Sequence, residues 1–228
     1  MNKKDFEDTL QKLISDAKKR NFDESVDVIF TFKNMNLKNK DNRFEFFVTI
    51  PNPFITKLKT LIFVKDKQLL ESVKGIVNKI IPEDKIKSLS KKEIKQLAQE
   101  YDLLLAEGQA MLSVGKYLGQ TLSPRGKMPQ IVPANPQAIK AFIDSSYAKV
   151  KVSNKKNKSS VAVQTRIGKR SLSPSQIAEN TMVVYNALVD KLPAGVHNIR
   201  HILFKTTMSK PIKVEGDAKW VIIENNGE

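Results

Sequence analysis

The hydrophobic period changes twice along this chain, and that limits the fold more than any single motif does. In "ESVDVIFTFK", Val26, Val28, Phe30 and Phe32 alternate with Asp27, Ile29, Thr31 and Lys33. This two-residue period marks a strand with one buried face. "RFEFFVTI" repeats it with Phe44, Phe46, Val48 and Ile50 across the polar segment "NMNLKNKDN". The pair reads as a long antiparallel hairpin, closed off by Pro51 and Pro53, which cannot donate to a ladder. Ahead of it, Phe6, Leu10, Leu13, Ile14 and Ala17 share one face of a helix over 3–19.

From about residue 57 the period is lost. "TLIFVK" and "YDLLLAE" are short continuous apolar runs, suited to strands covered on both faces. Helices are expected between and after them. Asp66 caps the first, "SKKE" at 90–93 is a capping box, and Asn135-Pro136 starts the last. Alternating strand and helix implies a mostly parallel α/β layer fold. After about 150 the first pattern returns in "KVKV", "SVAVQTRI", "IRHILFKTT" and "KWVII", with a helix started by "SPSQ" at 173–176. The simplest arrangement is an α/β chain in two domains. A discontinuous α+β domain I is built from 1–56 and 154–228, with an antiparallel sheet and helices. A Rossmann-like parallel α/β domain II, 57–153, is inserted into it.

Charge then narrows the function. The chain has 228 residues, with 39 Lys and Arg against 24 Asp and Glu, a net +15. Such an excess favours a polyanion as partner, and nucleic acid is the commonest. No apolar run of about 18 residues exists to span a membrane, and no basic amphipathic helix points to a membrane surface. The absence of cysteine excludes disulfides and thiolate metal sites and fits a reducing compartment, so a cytoplasmic protein is expected.

The catalytic patterns fail one by one. "GKY" at 115–117 has Ala110 where a phosphate loop needs its first glycine and Tyr117 where it needs a hydroxyl for magnesium. His197 and His201 lack a third metal ligand, and no nucleophile elbow occurs. Neither cofactor nor metal is expected. "KNKDN" and "SNKKNKS" read as solvated loops that add non-specific phosphate attraction. "FKTTMSKP", 204–211, is different: it leaves a strand with two hydroxyls, an exposed methionine and a lysine, then breaks at Pro211. Hydroxyls bond phosphates and the 2′-OH of RNA, and a methionine packs against ribose or base. The remaining puzzle is "TLSPRGKMPQIVPANP", 121–136, where four prolines surround Arg125 and Lys127.

These residues resemble a known family. "GKYLGQTLSPRGKMP", "KTTMSKP", "FDESVDV" and "RIGKRSLSPSQIAEN" are similar, in order, to signatures of the ribosomal protein L-one family. That family is the large-subunit protein of the mobile side stalk, and "PRGKMP" resembles its archaeal and eukaryotic branch. The likeness covers essentially the whole chain. It implies a non-enzymatic structural constituent of the large ribosomal subunit, cytoplasmic and ribosome-bound, and a monomer when free. It would bind the side-stalk region of large-subunit rRNA near the tRNA exit site, mainly through the discontinuous domain. It would also assist release of deacylated tRNA and repress translation of its own mRNA through the leader.

Carried over by position, the resemblance implies RNA contacts by Phe22, Ser25, Asp27, Thr206, Thr207 and Met208, with Lys169 and His201 as further contacts. Arg20 stands in for the basic residue the family places just before the phenylalanine, since Asn21 occupies that position here. Ser209 stands where the family has glycine, which admits close backbone approach, and a hydroxyl bond can replace that contact. Arg125 and Lys127 are expected to face passing tRNA or the domain interface. Two rival readings remain: a nucleotide-dependent enzyme built on the α/β middle, and a non-specific basic RNA chaperone.

Overall fold

The computed structural model describes residues 2–36, 42–155 and 161–214. They form two compact units, one made of the chain up to Phe54 and from Ala148 onward, the other of Ile55–Tyr147.

The first unit opens with α1 (Lys3–Asp16). The Asp5 carboxylate accepts from the Asn2 backbone N–H at 2.8 Å, closing the capping box that starts it. Phe6, Leu10 and Leu13 turn inward. β1 (Ser25–Phe32) follows, with Val26, Val28, Phe30 and Phe32 buried and their neighbours half-exposed, as the alternation predicts. β2 (Glu45–Thr49) comes next.

The expected β1–β2 hairpin is not there. β2 pairs instead with residues 149–153, far along the chain, in a separate two-stranded sheet. Periodicity records which face of a strand is buried but not which strand lies beside it. β1 and the start of β2 meet through aromatic rings, Phe32 edge-on to Phe44 at 6.2 Å, and not through a ladder.

The second unit runs β3 (Thr60–Val64), α2 (Lys67–Ser72), β4 (Lys79–Pro82), α3 (Glu83–Ile86), α4 (Lys91–Glu100), β5 (Leu103–Glu107), α5 (Gly108–Leu122), β6 (Gln130–Val132) and α6 (Pro136–Ser146). Its four strands are parallel, in the order β4-β3-β5-β6. β3 is buried along its whole length, because each face of the sheet has its own core. Leu61, Phe63 and Ala106 pack with α3, α4 and α5, while Ile62, Val64 and Leu105 pack with α2 and α6. The helix starts fall where the sequence places them: Asp66 accepts from Gln68 N–H, Ser90 and Glu93 cap reciprocally, and Asn135 accepts from Gln137 N–H.

Returning to the first unit, β7 (Lys149–Ser153) pairs with β2, β8 (Ala162–Lys169) and β9 (Ile199–Thr206) flank β1, α7 (Pro174–Val189) packs on α1, and β10 (Ile212–Val214) edges the sheet. The main sheet is antiparallel in the order β10-β9-β1-β8. Residues 149–153, assigned to the insert on sequence, thus pair within the first unit. α1 and α7 cover one face of this sheet, where Phe6 stacks edge-on against Tyr185 and Phe204. Ser25, Asp27, Ile29 and Thr31 lie on the opposite, half-exposed face. The strand expected at "KWVII" lies outside the described residues, as do most of "KNKDN" and "SNKKNKS".

Candidate nucleic-acid interface

Three segments far apart in sequence meet at one end of the antiparallel sheet: 20–27, 169–171 and 206–209. Register brings them there, since Val26 pairs with Thr206 and Ser25 with Lys169. What holds them is a residue pair that sequence reasoning missed. Glu24 is 1% exposed. One of its carboxylate oxygens accepts from the Thr206 hydroxyl at 3.2 Å and from the Met208 N–H at 3.1 Å. The other accepts from Arg170 Nη1 at 3.2 Å. Arg170 also reaches the end of α1, donating to the carbonyls of Ile14 in its last turn and of Ala17 and Lys18 just beyond it. A guanidinium there satisfies orphan carbonyls and complements the helix dipole. A buried carboxylate is tolerated only when so paired, and among the described residues no buried polar side-chain atom lacks a partner.

Around this anchor lie several of the residues singled out on sequence, of which Thr206 itself is buried, 1% exposed. The Thr207 hydroxyl accepts from Ser25 N–H at 3.2 Å. The Ser209 hydroxyl accepts from Thr206 N–H at 2.9 Å, closing the turn after β9. Ser209 does not need glycine's freedom, because Asn34 is the one non-glycine residue with positive φ among those described. The backbone is thus held while Met208 projects outward, 62% exposed. Phe22, in the loop leading to β1, is 53% exposed. Other large apolar side chains of the chain are as exposed, Leu112 and Ile131 among them, so exposure alone does not mark these two.

Lys169 sits 3.7 Å from Asp23, whose carboxylate also accepts from the Ser171 N–H and hydroxyl. Asp27 lies further along the open face, where it accepts from Gln164 Nε2 at 2.9 Å between the cross-strand neighbours Arg166 and Lys205. Arg20 is exposed and lines a cleft next to Met208.

Not every predicted residue joins this cluster. His201 lies opposite Thr31 at the other end of β9, roughly 17 Å along the strand from Thr206. Its backbone bonds the Thr31 hydroxyl in both directions. Arg125 and Lys127 belong to the second unit and are turned onto its own backbone. Arg125 donates to the Thr121 carbonyl, and Lys127 donates to the carbonyls of Tyr101 and Asp102. The proline-rich stretch is thereby a braced connection containing β6.

In doubly wound sheets, ligands gather at the carboxyl ends of the strands where their order reverses, here between β3 and β5. Glu107, 6% exposed at the end of β5, already fills that position. Its carboxylate accepts from the N–H groups of Lys65 and Asp66 at 2.8 and 3.1 Å. Amides that would cradle a phosphate are thus held by a resident anion.

A family model described as the Ribosomal protein L1p/L10e family matches residues 13–210. The chain belongs to that family. It is a family of ribosomal proteins, not of enzymes. Three relatives, each called large ribosomal subunit protein uL1, show the extent of the likeness. The protein of Pyrococcus horikoshii is 33% identical over 88% of this chain and 90% of its own. That of Staphylothermus marinus is 32% identical over 94% and 98%. That of Methanocella arvoryzae is 32% identical over 94% and 100%.

Proposed function

We propose that this chain is a structural constituent of the large ribosomal subunit that binds the side-stalk region of large-subunit rRNA near the tRNA exit site. The observation that carries the reading is the cluster at the end of the antiparallel sheet. Phe22 and Met208 stand exposed beside Ser25, Thr207 and Lys169, on a backbone anchored from below by Glu24 and Arg170. Exposed apolar groups give base or ribose contact, hydroxyls meet phosphate and 2′-OH, and cations supply long-range attraction. This division of labour suits a folded RNA junction better than a uniform duplex, whose narrow groove hides its bases. The RNA-binding domain is the discontinuous one, and the inserted domain adds contact with deacylated tRNA to assist its release. A similar structure in the leader of the chain's own mRNA would compete for the same cluster and repress its translation. The protein acts in the cytoplasm, bound to ribosomes.

The test is a gel shift comparing stalk RNA with a random duplex of equal length across a salt series. Wild type is expected to bind the stalk at least about tenfold tighter than the duplex. Met208→Ala removes most of that gap and leaves duplex binding unchanged. Equal affinity for both RNAs, with one salt slope and no effect of the mutation, would mean that net charge alone drives binding, as the chaperone reading holds.

A further inference from the structure

Beside the recognition turn the first unit carries a cleft of about 330 Å³. That volume lies in the range of sites that take small molecules, about 300–1,000 Å³, and is far too small for a duplex. Its floor is apolar: Leu13 of α1, Ala17 just beyond the helix, and Ile212 of β10. Met208 borders it on one side. Three cations, Lys18, Arg20 and Lys210, stand around the mouth, and all three are exposed. Two acids also line it. Glu24 is occupied in holding Thr206, Met208 and Arg170. Asp16 is exposed, its carboxylate meeting the Ser15 hydroxyl at 3.4 Å.

We infer that this cleft receives a single unpaired nucleotide, extruded from the RNA that the neighbouring turn grips. An apolar floor ringed by cations fits one flat ring tethered to phosphates: the base lies on Ile212 and Ala17, the Met208 thioether closes over its face, and the phosphates rest on Lys18, Arg20 and Lys210. Asp16 sets the preference. A carboxylate is an acceptor pair, and guanine is the base whose edge offers an imino and an amino donor side by side. Guanine is therefore favoured, and uracil, which presents carbonyls beside its single donor, is disfavoured. The inference rests on the RNA-binding reading above and adds to it a base-specific subsite.

Two experiments on the whole chain test it. The first needs no stalk RNA: backbone amide NMR during titration with guanosine monophosphate, uridine monophosphate and inorganic phosphate. Guanosine monophosphate is expected to shift Ala17, Met208 and Lys210 saturably, and several-fold more tightly than uridine monophosphate. Inorganic phosphate should move the cations alone. Ala17→Trp, which fills the floor, abolishes the base-dependent shifts, and Lys210→Ala, on an exposed residue, weakens them. Identical shifts for nucleotide and phosphate, or shifts confined to Ile55–Tyr147, overturn the proposal.

The second uses stalk RNA with each unpaired nucleotide made abasic in turn. One position should cost about tenfold with wild type and nothing further with Ala17→Trp. Full additivity at every position overturns the subsite. Absence of stalk preference in wild type defeats the broader reading instead, and the mononucleotide titration then decides the cleft by itself.

Discussion

At the scale of single residues, Arg170 organises the end of the antiparallel sheet. It ties the end of α1 to buried Glu24, and Glu24 in turn holds the backbone of Met208. Arg170→Ala leaves a buried carboxylate without its cation, so a loss of roughly 3–5 kcal/mol in urea unfolding is expected. Arg170→Lys restores little, because an ammonium cannot reproduce the planar fork that reaches three carbonyls around the end of α1 and a carboxylate. Met208→Ala should act in the opposite way, costing RNA selectivity while stability changes by less than about 0.5 kcal/mol, as is usual for an exposed side chain. Ser209→Ala deprives the Thr206 N–H of its acceptor and should cost about 1 kcal/mol, with faster amide exchange at Thr206. The notable point about Ser209 is that its hydroxyl is used internally. No sequence pattern announces that, because the partner is a backbone group three residues away across a turn.

At the scale of elements, two ion pairs tie together pieces that meet late in the chain. Glu45 of β2 accepts from Lys151 of β7 at 2.8 Å. That hydrogen bond, more than the charge itself, holds the carboxyl below its ordinary value. Glu179 of α7 accepts from Lys3 of α1 at 2.8 Å and from Asn52 at 2.9 Å, and its carboxyl is lowered chiefly by the lysine bond. A carboxylate depressed in the folded state adds stability above its unfolded value, about 4.3, and loses it as pH falls through the folded value. The melting temperature should therefore be insensitive to these two groups between about pH 5.5 and 7, then drop below about pH 4.3. Glu45→Gln or Glu179→Gln should flatten part of that acid drop, as thermal melts across pH would show; an unchanged acid limb would mean that the pairs add nothing in solution. Helix starts were readable at this scale because a cap is a local event spanning three or four residues. The β1–β2 hairpin was misread because pairing partners are decided by the rest of the sheet.

At the scale of the whole molecule, the chain's path sets how separable its parts are. Thr49 pairs with Lys149, and the Ile50 N–H donates to the Ala148 carbonyl at 2.8 Å. The two points where the chain leaves and re-enters the first unit are thus neighbours. Replacing 55–147 with a short glycine linker should leave that unit folded, because each unit has its own core and its own sheet. Stalk-RNA affinity should then fall by less than about tenfold, with a shallower salt slope from the lost cations. A larger loss would place part of the primary grip on the inserted unit.

The sequence alone determined the alternation of periods, the helix caps, the doubly buried strands and the exposure of Thr207 and Met208, though not the burial of Thr206 against Glu24. Each follows from side chains within a few residues of one another, where spacing and burial are the same information. Tertiary structure decided which strand lies beside which, and that Glu24 and Arg170 stand together beneath the turn. It also left His201 at the far end of its strand. Those outcomes depend on sheet register and on long-range charge pairing, which bring together groups separated by well over a hundred residues and leave no mark in the local pattern.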